Sequence, residues 1–101
     1  MTDQVSEKRV ERALRDGVEG LGGMAIKLMP TIIGIPDRLV ILPGGRIWFV
    51  ELKAPGKRIT KVQGVIHQQL RSLGCNVLII DTPDGVKRWT AEVQHPSQGD
   101  M

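Results

Sequence analysis

A chain of 101 residues, 41% apolar and 25% charged, holds material for one hydrophobic core and too little for two, and this balance excludes a wholly disordered polypeptide. Lys and Arg number 14 against 11 Asp and Glu, a formal charge of +3 that favours a polyanionic partner without identifying one. The single cysteine, Cys75, excludes an intrachain disulfide framework and is expected to be a small buried apolar residue.

In chain order, Val10, Leu14, Val18 and Leu21 recur at helical spacing between Ser6 and Gly22, with Ser6 as N-cap and Gly22-Gly23 as the stop. Met24 to Met29 predicts a short strand, and Pro30 and Gly34 mark an irregular stretch. Asp37 to Leu42 and Arg46 to Lys53 are rich in Val, Ile, Leu, Phe and Trp, and Pro43-Gly44-Gly45 between them makes a hairpin.

Loop length decides the hairpin register. A three-residue loop, with Pro43 at the second position of a type I turn and Gly45 in the left-handed position of a G1 bulge, sets Leu42 opposite Arg46 and Asp37 opposite Glu51. Asp37, Leu39, Ile41, Ile47, Phe49, Glu51 and Lys53 then share one face, apolar except for three polar groups at one end. A two-residue loop would set Asp37 opposite Leu52 and send Glu51 to the other face.

Pro55 and Gly56 open a loop, after which Val62, Ile66, Leu70 and Leu73 predict a second helix from Thr60 to Leu73, ended by Gly74. That helix is a natural crossover into a parallel, buried strand at Asn76 to Ile80. Gly85 to Val93 fits either a short helix or a strand. The expected organisation is one α/β domain over residues 1–93, followed by a polar, flexible tail over 94–101. No apolar run is long enough to span a bilayer and no secretory leader pattern stands out, so the expected location is the cytoplasm.

The polar end of the hairpin carries the chemistry. Phosphodiester hydrolysis needs an activated water and a means of neutralising charge on the phosphorane and the leaving oxygen, and a carboxylate-held divalent cation supplies both. Directly opposed strand residues have Cβ atoms about 4.5 to 5.5 Å apart, close enough for Asp37 and Glu51 to converge on one ion. Mg²⁺ takes few protein carboxylates, so these two and the main-chain carbonyl of Leu52 suffice. Lys53, two residues past Glu51 on the same face, is placed to orient the water or stabilise transition-state charge, while the Leu52 side chain points into a core. An E-x-K triplet alone is also what an ordinary exposed ion pair looks like; its position facing an Asp across a hairpin of the right length gives it meaning.

Gly34-Ile35-Pro36-Asp37-Arg38, Gly44-Gly45, Phe49-Val50-Glu51-Leu52-Lys53-Ala54-Pro55-Gly56, Gln63 and Leu70-Arg71-Ser72-Leu73-Gly74 together resemble the VRR-NUC domain of the PD-(D/E)xK nuclease superfamily. The resemblance runs from about the first helix to the strand ending near Asp81. It implies a restriction-endonuclease-like core: a central mixed sheet, a β-hairpin carrying the active site, and flanking helices. It further implies Mg²⁺ dependence with Mn²⁺ able to substitute, and catalytic roles for Asp37, Glu51 and Lys53. A helix glutamate near the metal is implied too, with Glu7 the better match and Glu11 the alternative. Gln63 matches a glutamine that touches the site from the second helix, although Thr60-x-x-Gln63 is equally a capping box. His67, four residues on, has no evident partner and reads as structural.

Lys57, Arg58 and Lys61 follow the site-bearing strand and are candidates to meet DNA phosphates, whereas Lys8, Arg9, Arg12 and Arg15 read equally well as a solvated helix face. Trp48, Trp89 and Phe49 are too few for a base-stacking platform, so recognition of backbone and shape is expected. Stand-alone proteins that this chain resembles are small, of phage or bacterial origin, and are thought to act as homodimers on branched DNA such as Holliday junctions. The competing expectation is a non-catalytic DNA-binding module that retains the nuclease fold. A small-molecule phosphoesterase lacks support, because Gly44-Gly45 lies in a hairpin turn and Gly22-Gly23 ends a helix.

Overall fold

Four strands form one mixed sheet in the order β1-β2-β3-β4: β1 (Met24–Lys27), β2 (Arg38–Leu42), β3 (Arg46–Leu52) and β4 (Asn76–Ile80). The computed structural model describes residues 6–29 and 31–94. β1, β2 and β3 run antiparallel in sequence, and β4 joins β3 in parallel through the crossover helix α2 (Lys61–Ser72). Helices α1 (Glu7–Gly20) and α3 (Pro83–Gln94) complete the α/β architecture. Gln94 therefore closes a helix rather than opening a tail, and the rest of the expected tail lies outside the described residues.

The hairpin has the register of the three-residue loop. Leu42 pairs with Arg46 and Arg38 with Val50, which carries Asp37 opposite Glu51 one step further along. The turn itself differs from the expected type I turn with a G1 bulge. Gly45 N–H donates to Leu42 carbonyl at 3.1 Å, and Gly44 at the third turn position has φ +86°. Positive φ there belongs to a type II turn, which Pro43-Gly44 suits as well as any sequence. Both solutions leave three residues in the loop, so the register survives the change.

Alternation gives the sheet two unlike faces. Val40, Leu42, Val50, Leu52 and Ile80 are buried against Val10, Leu14 and Val18 of α1 and Val86, Trp89 and Val93 of α3. Ser6 caps α1 by accepting from Arg9 N–H, and Gly17 allows the α1–α3 approach: a Cβ there would meet the Thr90 methyl at 3.1 Å. The C-terminal segment, open between helix and strand on periodicity, is a helix that begins before the expected Gly85. Pro83 occupies its first turn, and Thr82 Oγ1 accepts from Gly85 N–H at 2.9 Å. Trp89 meets Trp48 edge-on, centroids 5.5 Å apart.

The other face is only partly covered. Register puts Met24 and Ile26 beside Ile41 and Leu39, and Val77 and Ile79 beside Phe49 and Glu51. Helix α2 lies on this side, yet His67 is its one buried residue. Val62, Val65 and Leu73 near α2 and Ile47 and Ile79 on the sheet remain exposed. Cys75, expected to be buried, is only half-buried, because it sits in the connection from α2 to β4 at the margin of this open face.

Candidate active site

Asp37 stands just before β2, where Pro36 is buried and the chain enters the sheet. Its main-chain carbonyl accepts from Leu28 N–H at 2.9 Å, extending the β1–β2 pairing, and its carboxylate Oδ1 accepts from Leu52 N–H at 3.2 Å across the hairpin. In an extended strand the N–H and C=O of one residue leave toward the same neighbour, so the Leu52 carbonyl also faces the Asp37 side. Lys53 N–H donates to Ile80 carbonyl at 3.0 Å, which continues the β3–β4 pairing past Leu52 and fixes the strand end carrying Glu51 and Lys53.

Glu51 is 3% exposed. Its Oε2 lies 3.7 Å from Lys53 Nζ and accepts from Gln63 Nε2 at 3.1 Å. Capping and contact with the site, the two alternatives for Gln63, are both realised because an amide has two ends. Gln63 Oε1 accepts from Thr60 N–H at 2.9 Å and Thr60 Oγ1 from Gln63 N–H at 3.1 Å, while the Gln63 amide nitrogen turns to Glu51. The cap that starts α2 therefore also aims Gln63.

Arg38 is a functional neighbour that sequence reasoning missed. Only 7% exposed, it donates from Nη2 to Glu11 Oε2 at 2.6 Å and from Nη1 to the Asp37 carbonyl at 3.0 Å. This ion pair ties α1 to the start of β2 directly behind Asp37. A signal was present: alternation aligns Arg38 with the inward Val40 and Leu42, and a buried guanidinium requires an acidic partner. Glu11, the alternative metal-supporting glutamate, is thus engaged with Arg38, which holds its carboxyl below the ordinary range chiefly through this hydrogen bond. Glu7, one helical turn earlier, is exposed, and its charge acts on both Asp37 and Glu51.

The electrostatics of this end of the sheet suit a cation. Burial raises Asp37 above its ordinary value against the Leu52 hydrogen bond and the Arg38 charge. Burial and then the Asp37 charge push Glu51 up to about 7, with Lys53 opposing. Glu51 Oε1 is buried without a hydrogen-bond partner. Among the described residues no three acidic, imidazole or thiol side chains converge into a closed cage. Two carboxylates, Asp37 raised chiefly by burial and Glu51 by burial and then the Asp37 charge, one with an unpartnered oxygen, and a carbonyl on the same side still fit a hard cation that retains several waters.

Comparison with family models returns no match. The chain is 43% identical over 81 residues to "Putative nuclease p44" of Acyrthosiphon pisum secondary endosymbiont phage 1, covering 79% of this chain and 87% of the relative. A solved structure described as a VRR_NUC domain superposes with a TM-score of 0.78 at 33% identity, covering 87% of this chain and 98% of that one. The chain belongs to the VRR-NUC family. Its four-stranded mixed sheet with flanking helices is the restriction-endonuclease-like core that the motifs implied.

In this VRR-NUC chain the hairpin and α2 bring Asp37, Glu51, Lys53 and Gln63 together. Lys57, Arg58 and Lys61 are exposed in the loop and first turn that follow, where Lys57 N–H closes a turn onto the Ala54 carbonyl at 3.0 Å. On α1, the basic residues Lys8, Arg9, Arg12 and Arg15 are exposed. His67 is fully buried, and burial, then the charges of Arg71 and Lys53, hold its imidazole below the ordinary value.

Proposed function

We propose that this VRR-NUC chain is a divalent-metal-dependent DNA endonuclease that hydrolyses phosphodiester bonds. The observation that carries the reading is the convergence of two carboxylates raised above their ordinary values, Asp37 by burial and Glu51 by burial and the Asp37 charge, with Lys53 at the end of one hairpin. Asp37, Glu51 and the Leu52 carbonyl would hold the metal, Mg²⁺ with Mn²⁺ substituting, and the Glu7 charge would add to the site's attraction for it. A divalent cation there supplies Lewis acidity toward the scissile phosphate and lowers the pKa of water.

The chain's own residues do the rest. Lys53, its side chain 18% exposed, is wet enough to orient an attacking water and buried enough for its charge to count against the phosphorane. Gln63 steadies Glu51 and keeps its carboxylate on the Asp37 side. The exposed Lys57, Arg58 and Lys61 grip phosphates beside the reacting one, through backbone contacts that carry no sequence preference.

Branched DNA such as a Holliday junction is the inferred substrate, with a homodimer delivering two sites to two strands. Support for a second copy comes from the open side of the molecule, where Ile47, Ile79, Val62, Val65 and Leu73 stay exposed around the site-bearing face. Residues 1–93 act as one unit in this reading, and the setting is the cytoplasm of a bacterial or phage-infected cell. No described helix is long and apolar enough to cross a membrane.

The test is cleavage of labelled duplex, flap and four-way junction DNA in Mg²⁺ by wild type, Glu51→Ala and Lys53→Ala. Loss of about 10² to 10³ in rate is expected for each variant, with junctions cut fastest. Equal cleavage by wild type and variants refutes the site, and binding without cleavage in any metal returns the chain to a DNA-binding module. Sedimentation of a monomer both free and on DNA removes the dimer.

A further inference from the structure

The buried carboxylate of Glu51 meets helix α2 at two places. Its Oε2 accepts from Gln63 Nε2, whereas Oε1 is buried with no partner. One helical turn beyond Gln63 lies His67, 0% exposed, with both ring nitrogens unpartnered and Nε2 3.7 Å from that same Oε1. A donor and an acceptor thus face each other in a dry space, each lacking what the other offers. The gap exceeds a hydrogen bond by about half an ångström, a distance closed by a small rotation of either side chain. An apolar residue would fill the His67 position without burying two polar nitrogens, so packing alone does not account for an imidazole.

We propose that His67 is a positioning residue for Glu51: Nε2–H donates to Oε1 while Gln63 donates to Oε2, so α2 holds the carboxylate by both oxygens. With both oxygens held, the remaining lone pairs of Glu51 keep one direction, toward Asp37 and the Leu52 carbonyl. Nε2 carries a hydrogen in one neutral tautomer and in the imidazolium, so the donation does not depend on protonation of the ring. Partners of this kind, one step removed from a metal, set ligand orientation and affinity. The inference rests on the reading of Glu51 as a metal-holding group.

The experiment has two arms. In metal-free protein, long-range ¹⁵N NMR reads the His67 tautomer; Nε2–H is expected, with an Nε2 shift that moves in Glu51→Gln. In the second arm, Mn²⁺ binding is measured by EPR for His67→Leu, His67→Gln and Asp37→Asn. His67→Leu is expected to weaken Mn²⁺ about tenfold or more, and His67→Gln, which restores an N–H donor on the same turn, to recover most of that loss. Asp37→Asn is expected to lose binding and so checks the underlying site.

Wild-type affinity in His67→Leu, with binding lost in Asp37→Asn, overturns the positioning role and leaves the metal site standing. Wild-type affinity in Asp37→Asn overturns the metal site. Equal weakening by Leu and Gln at position 67 assigns His67 to packing and overturns the proposal. Should His67→Leu fail to fold, the NMR arm decides: an Nδ1–H tautomer, or an Nε2 shift insensitive to Glu51→Gln, overturns it.

Discussion

Replacing Glu51 by Gln should stabilise the metal-free protein at pH 8 while destroying its site. The fold pushes the Glu51 carboxyl from 4.5 up to about 7, first by burial and then by the Asp37 charge. A raised carboxyl pKa means that the folded chain holds the proton more tightly than the unfolded chain. The stability this confers is full below about pH 4.5 and is lost as pH rises toward 7. At 1.36 kcal/mol per pH unit, the difference between 4.5 and about 7 costs about 3 kcal/mol at pH 8. The amide introduced by Glu51→Gln has the shape of the protonated acid and still offers an oxygen to Gln63, so the variant avoids that cost.

The assay is urea denaturation of wild type and Glu51→Gln in EDTA at pH 5 and pH 8. The variant should be more stable by less than about 1 kcal/mol at pH 5 and by up to about 3 kcal/mol at pH 8, a Tm increase on the order of 10 °C or more for a domain of this size. A shallower slope remains in the variant, because the raised Asp37 acts in the same direction. Adding Mg²⁺ at about 100 times its Kd should return about 2.7 kcal/mol to wild type and far less to the variant. A variant no more stable than wild type at pH 8, or parallel pH profiles, would refute the claim that the fold holds Glu51 under electrostatic strain.

Three further outcomes test the supports of the site. Glu11→Ala should cost about 1 to 2 kcal/mol by leaving the buried Arg38 guanidinium with Asp37 as its remaining partner, whereas Arg38→Met, which leaves the 35% exposed Glu11 side chain to water, should cost less than that by urea denaturation. Gly34→Ala should destabilise by about 2 kcal/mol and lower cleavage as well, since Gly34 has φ +95° and a Cβ there lies 2.8 Å from the Val62 carbonyl of α2; Gly44→Ala, in open space, should cost about 1 kcal/mol and leave cleavage intact. Alanine at Lys57, Arg58 or Lys61 should each reduce the slope of log K against log salt for DNA binding by about 1, with no change in the thermal melt.

The parts of the site readable in sequence are those fixed by local geometry. Strand alternation and a three-residue loop determine that Asp37 and Glu51 face one another, whichever turn type closes the loop. Turn type is not readable, because adjacent glycines at 44 and 45 both tolerate positive φ and both adopt it. Arg38 can be read as inward but not as partnered. Its acid comes from a helix 27 positions away, and Glu7 and Glu11 both lie in line with Leu14 and Val18 on the apolar stripe of α1. Gln63 reads as either a cap or a site residue because the motif describes one end of an amide and packing decides the other.

Helix α2 carries the same lesson to the molecular surface. Val62, Ile66, Leu70 and Leu73 have the spacing of a core-facing stripe, yet Val62 is 47% and Leu73 79% exposed, and the polar His67 is the residue that is buried. Periodicity reports where a helix is apolar and is silent on what covers it. Within one chain α2 directs its inward contacts to Glu51 through Gln63 and His67, and turns apolar surface outward beside Ile79 on the sheet. Exposed apolar residues on one side of a molecule mark interaction surfaces. In the proposed homodimer, cover over α2 would therefore stabilise both the fold and the carboxylate that α2 holds, linking assembly to the readiness of the site.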